Sequence, residues 1–415
     1  MKALRLFLLA ALSCGFLQGE DAVFVYLTGL TSDSARIAWG RTKGDGNIIG
    51  RNARPLGRVE VSIADRTLVE EKRAWVEVDG LEPDHSYDYQ VRLGRRLLGQ
   101  GTLRTFPRQS PKMAFLLIGD YGKGNKTQRS IGQAMWKTLL SQREKGNPVR
   151  FVLTTGDNIY GSFLYRFKTG KRDRHWHKRF FDPFRQLLPH VPFYPSLGNH
   201  DGDETESEDD FPVYADNFFL PPMGSLEGST ARYYGVSFAG LALFLILDST
   251  EHPRPDGGRI YEQGGAQHVW LRQALASSNV PWKIAVFHNP SYNAGPRYGE
   301  SEPRLDYLEE LFVESGVDVV FNGHEHNFQS SDPPRTGGIL HIISGGGAET
   351  RNKNIVDDLE EHSMALWSPQ PHYLLVEIEE GRMHITALGT DAAPVTARTP
   401  DNVATPARIT VSQRP

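Results

Sequence analysis

Hydrophobic and polar positions divide the chain into two parts with different patterns. Residues 22–107 contain short runs rich in β-branched and aromatic residues, such as "SARIAWGR" and "RVEVSIA", separated by turn signals. From Lys112 onward, apolar strand-like runs alternate with helical patterns, and in "TQRSIGQAMWKTLLSQ" Ile131, Met135 and Leu139 recur at a four-residue step. The first pattern predicts a β-sandwich, and the second predicts an α/β domain.

Polar residues able to bind metals or to transfer protons follow several of the predicted strands. Each comes directly after an apolar run, and they are Asp120, Asp157, Asn199, His200, His288, His324 and His326. Loops at the carboxyl ends of strands in an open α/β sheet gather ligand-binding residues, so these side chains could converge. In "VVFNGHEHNFQ", residues 319–329, the two histidines lie one residue apart, and an extended turn directs both toward the same side.

Five short segments carry these residues. In chain order they are "GDYG" (119–122), "GDNIY" (156–160), "GNHD" (198–201), "FHNP" (287–290) and "GHEH" (323–326). This ordered set resembles the calcineurin-like metallophosphoesterases, and Tyr160, which follows Asp157 in the second segment, makes the chain similar to the purple acid phosphatases. The resemblance implies an α/β (α+β) fold, a four-layer metallophosphoesterase β-sandwich flanked by helices, over residues 109–395.

The donor set suits transition metals. Two carboxylates, one amide, one phenol and three imidazoles, with no thiolate, favour iron, zinc or manganese. The resemblance implies a dinuclear metal centre, in which Asp157 bridges the two metals. The first metal would be held by Asp120, Tyr160 and His326, and the second by Asn199, His288 and His324. Because a free phenol has a pKa near 10, Tyr160 favours Fe(III) at the first site, whereas the second site could hold Fe, Zn or Mn.

The general acid is left open by the sequence. By the family pattern His200 would face the phosphate, stabilising its charge or protonating the leaving oxygen. The alternative is a histidine that only orients Asp157 or a water molecule. Plant-type members often carry a further substrate-facing histidine downstream of the residue that matches His288, but this chain has "HNPSYNAGPRY", ending at Tyr298. The acid could therefore be His200 or Tyr298.

The two ends of the chain carry further expectations. "VDGLEPDHSYDYQVRLG" followed by "GTLRTF" resembles a fibronectin type III domain, which is expected over residues 20–108 as the N-terminal domain of plant-type purple acid phosphatases. It is expected to act as a rigid scaffold. Residues 396–415, in a segment rich in Pro, Thr and Ala, are expected to form a C-terminal tail that adds little to the core.

The first 19 residues have the layout of a secretory signal peptide. Lys2 and Arg5 precede the apolar run from Leu6 to Leu12, which is too short for an ordinary membrane-spanning helix. The protein is therefore expected to be secreted or periplasmic. "ALSC" also resembles a lipoprotein cleavage box, so lipid anchoring at Cys14, the only cysteine, is the alternative.

Charge narrows the range of partners. The chain has 46 basic and 50 acidic residues, a formal charge of −4, and no basic block, which argues against a nucleic-acid partner. The resemblance implies a secreted acid phosphatase that hydrolyses small phosphoric monoesters by attack of a metal-bound hydroxide. The alternatives are a phosphodiesterase or nucleotidase of the same superfamily, and a non-catalytic cell-surface binding protein.

Overall fold

The structure is a computed structural model that describes residues 23–41, 49–161, 176–202, 211–250, 260, 262–295, 305–351, 358–379 and 381–413. The predicted signal peptide, Cys14 and Tyr298 lie outside these ranges. Within them, no helix is long and apolar enough to cross a membrane.

The N-terminal region consists of β-strands, as its hydrophobic pattern predicts. The strands are β1 (Val23–Leu30), β2 (Ser34–Arg41), β3 (Val59–Ile63), β4 (Arg66–Glu70), β5 (Trp75–Asp79), β6 (Ser86–Leu93) and β7 (Arg96–Arg104). They form two antiparallel sheets, ordered β1-β2-β5 and β4-β3-β6-β7. Strand β3 shows the expected alternation, because Val59, Val61 and Ile63 are buried while Ser62 is exposed. The more specific resemblance to fibronectin type III stays a prediction.

The remainder of the chain alternates strands and helices. Its elements are β8 (Lys112–Ile118), α1 (Lys126–Glu144), β9 (Val149–Thr154), β10 (Phe193–Pro195), α2 (Asn199–Gly202), α3 (Phe211–Phe218), β11 (Tyr234–Phe238), β12 (Ala242–Ile246), α4 (Ala266–Ala276), β13 (Trp282–Val286), α5 (Asp306–Glu314), β14 (Val319–Asn322), β15 (Phe328–Ser331), β16 (Leu340–Ser344), β17 (Met364–Ser368), β18 (Tyr373–Glu379), β19 (Arg382–Leu388), β20 (Thr396–Arg398), β21 (Ala404–Pro406) and β22 (Arg408–Ser412). A π-helical turn covers His177–Phe181, and a 3₁₀ turn covers Pro333–Arg335.

These strands form two large mixed sheets. One has the order β10-β9-β8-β18-β19-β22, and the other has the order β11-β12-β13-β14-β16-β15-β17-β20-β21. Strands β8, β9 and β10 are parallel to one another, as are β12, β13, β14 and β16. Every residue of β9, β12 and β14 is buried, which is typical of strands covered on both faces.

The two sheets pack face to face between helices, which confirms the predicted four-layer fold class. The Phe115 ring of β8 lies 5.2 Å from that of Phe244 in β12, and both belong to the main core, which also contains Ile131 of α1. On the other face of β12, Leu243 packs in a second core with Phe312 of α5. The layers therefore run helix, sheet, sheet, helix.

The prediction of a C-terminal tail that adds little to the core is wrong over residues 396–412. Strand β22 pairs antiparallel with β19, and β20 joins the nine-stranded sheet through β17. Ala397 and Ala407 are buried in the main core. The composition of this segment concealed the pairing, because strand pairing depends on distant partners and "RITVS" is too short to stand out.

The N-terminal sheets pack directly on the remainder of the protein. The Leu27 amide donates to the Leu188 carbonyl at 2.8 Å, and Tyr89 Oη donates to the Pro189 carbonyl at 2.9 Å. Core residues of both regions belong to one continuous apolar cluster. The two regions are thus in close contact at the segment that precedes β10.

Candidate metal centre

The predicted site residues lie where parallel strands of both sheets end. Asp120 follows β8, Asp157 follows β9, and Asn199 lies beyond β10 at the start of the short helix α2. His288 follows β13 and His324 follows β14 in the facing sheet. The structure therefore brings together residues that are up to 206 positions apart, from Asp120 to His326, because both sheets present these ends at one edge.

One group of three donor side chains contains the Tyr160 phenol together with a carboxylate and an imidazole. Tyr160 Oη lies 3.3 Å from Asp120 Oδ1 and 3.0 Å from His326 Nε2. His326 Nε2 is in turn 3.4 Å from Asp120 Oδ1. All three side chains are buried. These are the three residues that the sequence resemblance assigns to the first metal.

A second group contains the other three donors. Asn199 Oδ1 lies 3.0 Å from His288 Nε2 and 3.0 Å from His324 Nδ1, and the two nitrogens are 3.1 Å apart. A hydrogen bond at the other ring nitrogen orients the His288 imidazole, because its Nδ1 lies 2.7 Å from the Thr155 carbonyl oxygen. A carbonyl only accepts, so Nδ1 carries the proton and the neutral ring has its lone pair on Nε2. Two acceptors, Nε2 and the amide oxygen, then face each other, an arrangement that a cation between them would stabilise.

Asp157 lies between the two groups. Its Oδ1 is 3.5 Å from His288 Nε2 of the second group. Donor atoms of Asp157, Asp120 and His326 also lie within 4.8 Å of one another, and this cluster could hold a metal ion. Asp157 thus lies close to donors of both groups.

The electrostatics of the buried donors favour a bound cation. Burial, opposed in part by His288 and reinforced by the Asp157 carboxylate, raises the pKa of Asp120 to about 8. Burial also acts to raise the pKa of Asp157, but the imidazoles of His288 and His200 outweigh it and hold that pKa well below its usual range. Burial lowers the pKa of His324 and His326 to about 3, which leaves their lone pairs available at neutral pH.

Strained backbone positions place several of these side chains. Asp120, Asp157 and His324 have φ values of 54°, 51° and 70°, a conformation that non-glycine residues adopt only where the surroundings enforce it. Gly156 has φ of 95°, and a Cβ there would lie 2.5 Å from His288 Nδ1. The glycine of the second motif therefore allows the loop to approach the histidine closely.

Asp201 links two loops of the site through hydrogen bonds. Its carboxylate is buried and accepts hydrogen bonds from the backbone amides of Asn158, Ile159 and Gly198, at 2.9, 3.0 and 3.1 Å. It also accepts from the Asn158 side chain at 2.8 Å. The loop that carries Asp157 and the loop that carries Asn199 are thereby fixed relative to each other.

His200 is partly exposed, as are Asn199 and His324. Its side chain is 26% exposed, its ring lies 4.4 Å from the Tyr160 ring, and its Nε2 is 3.9 Å from Asp157 Oδ2. The backbone amide of His200 donates to Asp157 Oδ1 at 2.9 Å. The imidazole thus lies beside the donor groups and reaches the solvent. Tyr298, the other candidate acid, lies outside the described residues.

Two basic residues at the site were missed by sequence reasoning. Lys123 Nζ lies 3.6 Å from the centroid of the Tyr160 ring and 3.6 Å from Glu349 Oε2. The Arg351 amide donates to the His326 carbonyl at 3.0 Å, and after burial the Arg351 guanidinium is the strongest influence that lowers the His326 pKa. Lys123 directly follows "GDYG" in the sequence, which is a signal that could have identified it.

Comparison with known proteins gives one family and a consistent set of relatives. Residues 113–328, just over half of the chain, match the family model described as "Calcineurin-like phosphoesterase". The chain is 28% identical to purple acid phosphatase 23 of Arabidopsis thaliana over 318 residues, which cover 68% of this chain and 64% of the plant protein. It spans about three fifths of the length of the curated relatives that it matches.

Solved structures show the same fold. The purple acid phosphatase PPD1 from yellow lupin (Lupinus luteus) seeds superposes with a TM-score of 0.64 at 15% identity, covering 94% of this chain and 74% of that one. PhoD gives a TM-score of 0.63 at 17% identity, covering 94% and 92%. At these identities the likeness concerns the fold alone. It extends beyond the residues that match the family model.

Proposed function

This chain belongs to the calcineurin-like phosphoesterase family, and from that premise we propose that it is a secreted acid phosphatase that hydrolyses phosphoric monoesters at a dinuclear metal centre. One observation carries the proposal. The donors form two groups of three, Asp120, Tyr160 and His326 on one side and Asn199, His288 and His324 on the other, with Asp157 between them.

Each group would hold one cation, and Asp157 would be shared. Tyr160 favours Fe(III) in the first group, because a strongly acidic metal is needed to deprotonate a buried phenol whose pKa is raised well above its usual value by burial. The second group, with one amide and two imidazoles, accepts Fe, Zn or Mn. When bound, a pair of cations would supply Lewis acidity that acidifies the attacking water and neutralises charge on the phosphoryl oxygens.

The protein itself supplies orientation and proton transfer. The Thr155 carbonyl fixes the His288 tautomer, and the amides of His200 and His324 orient the Asp157 and Asp120 carboxylates at 2.9 and 3.0 Å. His200 is proposed to face the substrate phosphate and to protonate the leaving oxygen, with Tyr298 as the alternative acid. Lys123 adds positive charge beside the first group, which favours an anionic substrate.

The choice of monoesters over diesters rests on resemblance. The plant relative and the lupin protein are both named purple acid phosphatases. A phosphodiesterase or nucleotidase would use the same donors, and a non-catalytic binding protein would have no use for them. Secretion, with lipid anchoring at Cys14 as the alternative, rests on the N-terminal pattern alone.

The test compares Asp157→Asn with the full-length protein purified with its metals. Turnover of nitrophenyl phosphate and of bis-nitrophenyl phosphate is measured, together with the metal content of each sample. We expect about two metals per chain, faster turnover of the monoester, and a loss of at least about 100-fold in Asp157→Asn, since a shared ligand is removed. Asp65→Asn is the matched control, because Asp65 is exposed in the turn between β3 and β4.

The outcomes separate the alternatives. Faster turnover of the diester would favour the phosphodiesterase. Equal monoester turnover in Asp157→Asn and Asp65→Asn would disprove catalysis at this centre and favour the binding protein. The mass of the mature chain recovered from the producing cell would show whether residues 1–19 are removed and whether Cys14 carries lipid.

A further inference from the structure

A small cavity between the N-terminal sheets and the rest of the protein is lined by basic residues. Its volume is about 100 Å³, and the polar residues lining it are Ser86, Thr102, Arg104, Arg143, Arg150 and His190. Arg150 lies near the start of β9, whereas Asp157 follows the far end of that strand. From Arg150 to Thr154 alone the strand extends about 13 Å, so this cavity is separate from the metal centre.

The balance of charge at the cavity is positive. Asp84 Oδ1 accepts from Arg104 Nε at 2.9 Å and from Arg150 at 2.8 Å, so one carboxylate serves two guanidinium groups. Asp88 accepts from the Thr102 hydroxyl at 2.6 Å. Three arginines and two aspartates give +3 − 2 = +1. An additional anion would therefore be attracted to the cavity.

Arg143 carries the charge that is not compensated. Among the residues that the structure describes, its guanidinium makes no hydrogen bond and no ion pair within 4 Å. Burial lowers the pKa of Arg143; Asp88 opposes this effect, and the positive charge of Arg104 adds to it. The Arg143 side chain is exposed and has no close acidic partner, so a bound anion would receive charge-assisted hydrogen bonds from its guanidinium.

A buried unsatisfied donor lies deeper in the same cavity. The Arg150 side chain is only 7% exposed, and its Nε has no hydrogen-bond partner within the described ranges. Arg150 thus offers an unused donor in addition to its bonds to Asp84 and to the Thr105 carbonyl. Two guanidinium groups from different elements, α1 and β9, are therefore available to one ligand.

Size limits the ligand to a small ion. Sites for drug-sized organic ligands usually enclose about 300–1,000 Å³, which is far more than this cavity provides. Guanidinium groups bind oxyanions through paired N–H donors. Arg104 approaches from β7, Arg143 from α1 and Arg150 from β9, and donors on three sides suit a tetrahedral ion better than a planar carboxylate.

We propose that this interdomain cavity binds one tetrahedral oxyanion, of the inorganic phosphate or sulfate type, through Arg143 together with Arg104 and Arg150. The ion would join the N-terminal sheets to the rest of the protein, and it would bind independently of the product phosphate at the metal centre. A ligand that binds only the folded, docked arrangement raises the unfolding temperature.

The experiment measures binding of inorganic phosphate to the full-length, metal-loaded protein by calorimetry and by thermal unfolding, at constant ionic strength set with chloride. Arg143→Gln is compared with Lys137→Gln, which removes one positive charge from an exposed position of the same helix. We expect wild type and Lys137→Gln to bind one phosphate that does not compete with substrate, and Arg143→Gln to lose this binding at least 10-fold. The inhibition constant of phosphate against hydrolysis should be the same in all three.

A further variant and two further ligands test the same proposal. Arg143→Lys retains the charge but not the paired N–H donors, so it should bind phosphate more tightly than Arg143→Gln and more weakly than wild type, which separates loss of the anion site from loss of folding. Anomalous diffraction from selenate bound to the wild-type protein should place the ion among the three arginines. Equal noncompetitive binding in Arg143→Gln and Lys137→Gln, or no selenate in the cavity, would overturn the proposal. Equal thermal shifts with acetate and phosphate would overturn the tetrahedral class.

Discussion

At the scale of single residues, Tyr160 determines the expected colour of the protein. Its Oη lies in the first donor group, 3.0 Å from His326 Nε2, where a ferric ion would convert the phenol to a tyrosinate. We expect the iron-loaded protein to show a visible tyrosinate-to-iron absorption band that Tyr160→Phe loses, because no other residue of the two donor groups supplies a phenol. Absorption spectroscopy with iron analysis measures this.

Tyr87→Phe is the control for that change, because Tyr87 lies in β6 and donates no ligand to either group. The assignment of Tyr160 as a ligand to Fe(III) is wrong if iron binds with full occupancy and the absorption band is absent, or if Tyr160→Phe retains the band.

His200 has two candidate roles that differ in their dependence on the leaving group. A general acid matters most for an alkyl phosphate, whose alkoxide leaves poorly, and least for nitrophenyl phosphate. We expect His200→Gln to lower kcat for glycerol phosphate by about 100-fold or more, but kcat for nitrophenyl phosphate only several-fold. Steady-state kinetics on both substrates give the comparison, with His85→Gln in the exposed part of the N-terminal region as control.

An equal loss on the two substrates would instead assign the His200 side chain to positioning Asp157, in line with the 3.9 Å between His200 Nε2 and Asp157 Oδ2. Tyr298 would then become the leading candidate for the acid.

The metal-ligand candidates could be predicted from the sequence more readily than the residues that hold their loops in place. Asp120, Asp157, His288 and His324 each directly follow an apolar run, and strand ends gather at one edge of a sheet, so their convergence in the structure could be anticipated. Their assignment to two metals stays a prediction. The anchoring role of Asp201 could not be anticipated, because it depends on loops that meet only after folding.

At the scale of elements, the N-cap residue of helix α1 makes two hydrogen bonds. The Asn125 side chain accepts a hydrogen bond from the Gln128 amide at 2.9 Å, which caps the helix, and it donates to the Ala348 carbonyl at 2.9 Å. Loss of the cap costs about 1 kcal/mol, and loss of the second bond costs about 1 kcal/mol more. We therefore expect Asn125→Ala to lower the free energy of unfolding by about 2 kcal/mol.

Asn125→Ser separates the two contributions. Serine caps a helix about as well as asparagine, but its hydroxyl is too short to replace the amide that donates to Ala348. Denaturant unfolding should show a loss of about 1 kcal/mol for Asn125→Ser. Equal losses for the serine and alanine variants would mean that capping contributes nothing here.

The elements that could be predicted are those with a local pattern. Helix α1 follows from its apolar four-residue step, and the fully buried strands β9 and β12 follow from the apolar runs "FVL" and "ALFLI". Strands β20 and β21 have three residues each and depend on partners in β17 and in each other. Nothing local distinguishes such segments from loops, so the C-terminal contribution to both sheets could not be predicted.

At the scale of the whole molecule, the segment before β10 holds the N-terminal sheets in place. The carbonyls of Leu188 and Pro189 accept from Leu27 and Tyr89, and the Thr102 amide donates to His190 Nδ1 at 3.0 Å. The continuous core across this contact favours unfolding in a single cooperative transition. The N-terminal region is therefore expected to stabilise the loop that leads to Asn199.

Gly101 in β7 tests this coupling, because its missing side chain allows the two regions to approach closely. A Cβ there would lie 2.1 Å from the Pro189 carbonyl oxygen and 2.9 Å from the Pro189 carbonyl carbon. Backbone atoms move less easily than side-chain ends, so Gly101→Ala must displace the segment that carries Pro189. We expect a destabilisation of roughly 2 kcal/mol or more, measured by denaturant unfolding, with Gln100→Ala at an exposed neighbouring position as control.

Hydrogen exchange locates the effect. The amides of Leu27 and Thr102 donate across the contact, so in Gly101→Ala they should exchange faster than in wild type, while the Ile63 amide, which lies within the N-terminal sheets, should change little. Uniformly faster exchange at all three amides would mean that the substitution only lowers global stability. Unchanged exchange at Leu27 and Thr102, with unfolding equal to that of Gln100→Ala, would show that the close approach at Pro189 does not hold the two regions together.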